Sequence, residues 1–170
     1  FPYHQYCTRM KEIRTLQRPR SFINAVIVTA LMAGTLDMIG AIINFMASGG
    51  KNPTVIFQYI ASAAFGKVAF DGTASMIFAG LVFHYLIAFG FTIFFFLIYP
   101  KAKLLSGNSF IVAILYGIFV WAVMNLIVLP FTKLSPTPFN ATKAAVAAVI
   151  LIVCIGFPVV AGARRYYRNA

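Results

Sequence analysis

The sequence predicts an all-α fold: a polytopic bundle of four transmembrane helices, with a further short helix outside or partly inside the membrane. Three observations carry this prediction. Hydrophobic residues make up 61% of the chain and charged residues only 10%, whereas a soluble domain carries about 25% charged residues. That leaves too little polar surface to cover a water-soluble particle. The apolar residues also gather in four runs near or above the ~20 residues that a helix needs to cross a hydrocarbon core. Finally, the basic residues lie just outside those runs, as the positive-inside bias of membrane proteins requires.

The elements follow in chain order. Residues 1–21 form a basic segment, expected on the cytoplasmic side. Residue 1 is Phe, and Met10-Lys11-Glu12 reads as a natural start, so residues 1–9 are read as an upstream extension. The first span is expected from Phe22 to Ala47. It is too long, and lacks the small-residue cleavage site, to be a removable signal peptide. The second is expected from Ala74 to Tyr99, the third from Phe110 to Leu129, closed by Pro130, and the fourth from Ala144 to Gly162. The transmembrane domain thus covers residues 22–163, followed by a basic cytoplasmic tail, 164–170.

Two connections carry signals of their own. In Asn52–Phe70, Asn52 is a good N-cap and Pro53 suits a first helical turn. The apolar stretch Thr54–Phe65 is helix-compatible but too short to span, and contains Gln58 and Ser62. It is expected as an extracytoplasmic helix, interfacial or re-entrant. The second outer loop holds Pro136 and Pro138 and is expected to be irregular. Gly156-Phe157-Pro158 predicts a local kink in the fourth helix.

Charge sets the threading. Arg9, Lys11, Arg14, Arg18, Arg20, Lys101, Lys103, Arg164, Arg165 and Arg168 fall on one side; Lys51, Lys67, Lys133 and Lys143 fall on the other. Ten against four places both termini in the cytoplasm. Tyr99, Tyr166 and Tyr167 fit an aromatic belt on that side. The net charge of +11 follows from this placement, and no basic fold signature argues for nucleic acid.

The spans carry a polar side. Ala30, Gly34, Asp37, Ala41 and Asn44 share one face of the first helix. Gly80, His84, Ala88 and Thr92 form a row on the second, and Ala113, Gly117, Trp121 and Asn125 form one on the third. Small residues at this spacing let helices approach closely, so Gly34, Ala41, Gly80, Ala88 and Gly117 are expected at helix–helix contacts. The Phe94-Phe95-Phe96 run is expected to face lipid. From the rise per residue, Asp37, His84 and Asn125 lie about 22–24 Å above the cytoplasmic end of their spans. They are expected to form one intramembrane polar layer, with Ala147 and Ala148 leaving room beside it. An intramembrane carboxylate costs about 2.5–3.5 kcal/mol on insertion scales and calls for a partner. A His84–Asp37 interaction with Asn125 completing the hydrogen bonds would supply one. The layer would then serve as a proton or ion relay, as the polar end of a ligand cavity, or as an interhelical clamp.

Phosphate-binding loops, nucleophile elbows and metalloprotease motifs are absent from the sequence. Cys7 and Cys154 make neither a disulfide framework nor a zinc site. No cofactor, metal or enzymatic activity is expected. A lipid- or quinone-modifying enzyme, with Asn52–Phe70 as its lid, has a poor catalytic inventory.

The stretches GTLD (34–37), FQYIASAAFGKVAF (57–70), HYLIAFG (84–90) and YGIFVWAVMNLIVLP (116–130) together resemble a family of small bacterial inner-membrane proteins with no assigned activity. The resemblance covers most of Gly34–Pro130. It implies four spans and an inner-membrane location, and gives no mechanism. The chain departs from the pattern at Leu151, where the family carries a polar residue. Two readings follow. One is a small transporter-like protein moving a proton, ion or solute through the polar layer, as a homo-oligomer since four helices alone make a narrow path. The other is an accessory subunit of a larger membrane complex. In both, the lipid bilayer is the first partner.

Overall fold

A computed structural model describes residues 21–102, 105, 107–132 and 140–169. Most of the basic segment before Phe22, Lys103, Lys133, and the prolines at 136 and 138 lie outside the described residues. The described residues are mostly helical, and none of them is in a strand.

Helix α1 spans Phe22–Ala47, the residues expected. It stops in a Schellman motif: Gly49 has φ +89°, the Gly50 amide reaches the Phe45 carbonyl at 3.0 Å, and the Gly49 amide reaches the Met46 carbonyl at 3.0 Å. Only glycine enters that left-handed conformation without strain. Helix α2 spans Thr54–Phe65, where the Asn52 side chain accepts from the Thr54 amide (3.1 Å) and hydroxyl (2.7 Å). It ends at Gly66 and runs on as a 3-10 turn, Gly66–Phe70. Helix α3 spans Ala74–Ile98. Helix α4 spans Ser109–Val128, with the Asn108 side chain accepting from the Phe110 amide at 2.9 Å. Helix α5 spans Ala141–Arg168, with Asn140 capping through the Lys143 amide at 3.0 Å.

Four of these helices, α1, α3, α4 and α5, are long and apolar enough to cross a membrane. The last is longer than expected at both ends. Arg164, Arg165 and Arg168, expected in a separate tail, ride on its final turns.

Two helices contain a wider, π-helical turn: Val123–Val128 in α4 and Ile152–Gly156 in α5. Each stops two residues before a proline, Pro130 and Pro158. Proline supplies no amide hydrogen and its ring crowds the carbonyl four residues back, so the preceding turn opens. In α5 the wider turn lies next to Gly156-Phe157-Pro158, where a kink is expected.

By backbone approach the spans pack in the order α3–α1–α5–α4, and α3 meets α4 through side chains, Phe94 stacking on Phe119 (5.5 Å) and Phe95 packing on Tyr116 (4.5 Å). Chain-end residues share one face, here the terminal face. There Phe22 meets Tyr166 (5.6 Å between ring centres) and Tyr99 stacks on Tyr167 (5.2 Å). Close approach elsewhere depends on absent side chains. A Cβ on Gly117 would overlap the backbone of Ile152, one on Gly156 the carbonyl of Ala113, and one on Gly80 the carbonyl of Phe57. Gly34 lies against the Tyr85 ring and Ala88, and Ala88 is buried. Of the expected packing residues, Ala41 and Ala88 line a cavity, and Ala88 also lies against Gly34.

The Phe94–Phe96 run corrects one expectation. Phe95 and Phe96 are both 0% exposed, and only Phe94 is turned outward. Successive residues of a helix point about 100° apart, so three in a row cannot share the lipid face. Phe95 packs on Tyr116 (4.5 Å) and Phe96 on Phe22 (5.9 Å). With Tyr116 donating to the Phe91 carbonyl (2.6 Å) and Tyr167 donating to the Phe96 carbonyl (2.7 Å), these rings seal the terminal half of the bundle.

Candidate functional cavity

Where α3 and α4 meet through those rings they are closed together. Farther from the terminal face the two helices separate, and a cavity of about 440 Å³ opens between them. All four spans and α2 contribute to its wall. Val120, Met124 and Val128 line the α4 side, and Phe91 lies on the α3 side. Leu151 and Ile155 of α5 face it too. Tyr59, Ile60 and Ala63 of α2 cover it, so the short helix borders the cavity rather than standing apart from the bundle. Gly80 makes that possible, since α2 rests its backbone on α3 at Phe57.

Asp37 and His84 both line this cavity, and both are half-buried. The structure therefore brings together two of the three residues expected in the polar layer. No hydrogen bond joins them. Instead the His84 Nε2 lies 2.8 Å from the Gly34 carbonyl oxygen. One residue along each helix, the Thr35 and Tyr85 hydroxyls share a hydrogen bond of 2.8 Å. The His84 ring also stands edge-on to Tyr85, 5.5 Å between centres. Thr35 and Tyr85 lie off the small-residue faces of their helices, so residue spacing gives no sign of this pair. Among the described residues the Asp37 carboxylate accepts no hydrogen bond at all.

Asn125 is elsewhere. It is exposed, and its side-chain amide donates to the Trp121 carbonyl at 2.8 Å. The row at 113, 117, 121 and 125 steps four residues at a time, and at about 100° per residue each step drifts about 40°, which leaves Asn125 about 120° from Ala113. Ala113 and Gly117 are buried as expected, and Met124 and Val128, closer to the azimuth of Ala113, line the cavity. Asn44 is likewise exposed at the end of α1. Nor do Ala147 and Ala148 border the cavity; α5 presents Leu151 and Ile155 there.

The chemistry of the cavity is thus mostly apolar, with one carboxylate, one imidazole, and the Tyr59 and Thr132 side chains at its edge. Among the described residues no three His, Cys, Asp or Glu side chains stand close enough to share a metal ion. No family model matches the chain, and no curated protein or solved structure matches it significantly.

Proposed function

We propose that this chain is a transporter-like, multi-pass protein of a bacterial inner membrane, with both termini cytoplasmic, that takes a small solute into the cavity between α3 and α4. The solute has a largely apolar body and one hydrogen-bond-donating or cationic group, which Asp37 receives. The supporting observation is an intramembrane carboxylate with no hydrogen-bond donor among the described residues, opening on a cavity of about 440 Å³ with apolar walls. Burial without a donor is costly for a carboxylate, and a ligand that supplies one recovers that cost. An inorganic ion fits less well, because its path would need polar lining through the terminal half, where Phe95, Phe96 and Val159 are fully buried.

The test uses the full chain in proteoliposomes with a fluorescent lipophilic amine as probe. Uptake should depend on pH, fall at least ten-fold in Asp37→Asn, and be blocked by Ala41→Phe, which fills the cavity. Lys143→Gln should leave it intact. Equal uptake by wild type and Asp37→Asn would remove the carboxylate from the mechanism and this reading with it.

A further inference from the structure

The terminal face carries a second, chemically different depression, of about 740 Å³, lined by Tyr99, Ser109, Arg164, Arg165, Tyr167 and Arg168. Three guanidinium groups face one space there. The described carboxylates are far off: Asp37 is in mid-α1, and Asp71 precedes α3 on the opposite face. Arg164 is tied down, donating to the carbonyls of Leu105 (3.2 Å) and Gly107, yet its Nε is buried with no partner among the described residues. Arg165 and Arg168 are exposed and form no ion pair among the described residues. Three cations held together with no carboxylate beside them among the described residues repel one another, and a bound anion relieves that repulsion.

Beside this depression runs a groove of about 360 Å³ between α1 and α5, walled by Val28, Met32 and Gly162. Ala161 and Arg165 border both spaces. The groove follows two membrane-spanning helices away from the charged end. A cationic pocket that leads into an apolar seam matches a molecule with a phosphate at one end and an acyl chain at the other.

We propose that Arg164, Arg165 and Arg168 bind the phosphate headgroup of an anionic phospholipid, whose acyl chain lies in the groove between α1 and α5. Ser109 adds a hydroxyl donor at the start of α4, where the helix leaves amide hydrogens free. Arg164 also donates to the carbonyls of Leu105 and Gly107, so headgroup binding and these two backbone positions are joined through one side chain.

Native mass spectrometry of the full chain in mild detergent, titrated with phosphatidylglycerol, tests the site. Arg165→Gln/Arg168→Gln should bind this lipid roughly thirty-fold more weakly, each exposed charge being worth about a five-fold factor. Lys51→Gln/Lys143→Gln, with the same loss of charge on the other face, should bind as wild type does. Ala161→Phe, at the junction of pocket and groove, should also weaken binding. Phosphatidylcholine should bind poorly, and inorganic phosphate should not displace the lipid. The proposal is overturned by equal weakening in the two charge variants, which would mean diffuse attraction. Displacement by inorganic phosphate, or full binding by Ala161→Phe, would equally overturn it, leaving an anion pocket without a lipid.

Discussion

The Nε2 of His84 lies 2.8 Å from the carbonyl oxygen of Gly34, on a helix fifty residues earlier in the chain. A carbonyl oxygen only accepts, so Nε2 carries the hydrogen, and any further proton enters at Nδ1. The contact ties α3 to α1 beside Asp37. His84→Ala should therefore destabilise the folded protein by about 1–2 kcal/mol, read by reversible unfolding in mixed micelles. A variant as stable as wild type would show that the bond contributes nothing to packing.

The glycines separate contact from open space. A Cβ at Gly117 meets the Ile152 backbone, which cannot move without shifting α5, whereas a Cβ at Gly90 meets nothing within 4 Å. Gly117→Ala should cost about 1–3 kcal/mol, the usual cost of overpacking. Gly90→Ala should be neutral or stabilising by up to about 1 kcal/mol. Thermal denaturation of both in one detergent, followed by size-exclusion chromatography, orders them.

Tyr116 joins two effects that can be separated. Its hydroxyl donates to the Phe91 carbonyl, and its ring packs 4.5 Å from that of Phe95. Tyr116→Phe should cost about 0.5–1.5 kcal/mol for the hydrogen bond. Tyr116→Ala should cost about 3–5 kcal/mol, as loss of a buried aromatic ring does. Similar losses in the two variants would assign the whole effect to the hydroxyl.

The facing of α4 makes a directional prediction. A nitroxide at Asn125→Cys, in a background without native cysteines, should show high oxygen accessibility in the bilayer, because Asn125 is exposed. One at Met124→Cys should show less, because Met124 lines the cavity. The reverse order would mean that Asn125, and not Met124, faces the cavity.

Span positions were legible in the sequence because the bilayer imposes a one-dimensional rule: about twenty apolar residues, charges outside. Phe22–Ala47 and Thr54–Phe65 emerge with the expected boundaries for that reason. Inward faces were legible wherever the helix stayed regular, as at Gly34, Gly80, Ala88 and Gly117. Asp37 and His84 could be placed at one depth because rise per residue is constant along an uninterrupted helix.

The amino-acid sequence by itself thus determined how many helices are long and apolar enough to span and which small residues let them meet. Tertiary structure alone decided that Asn125 turns away, that Phe95 and Phe96 point inward, and that α3 and α4 part to leave a cavity under α2. Hydropathy and spacing are properties of single segments. The turn opened by a proline, and the space left where two helices diverge, depend on which neighbour each face finds.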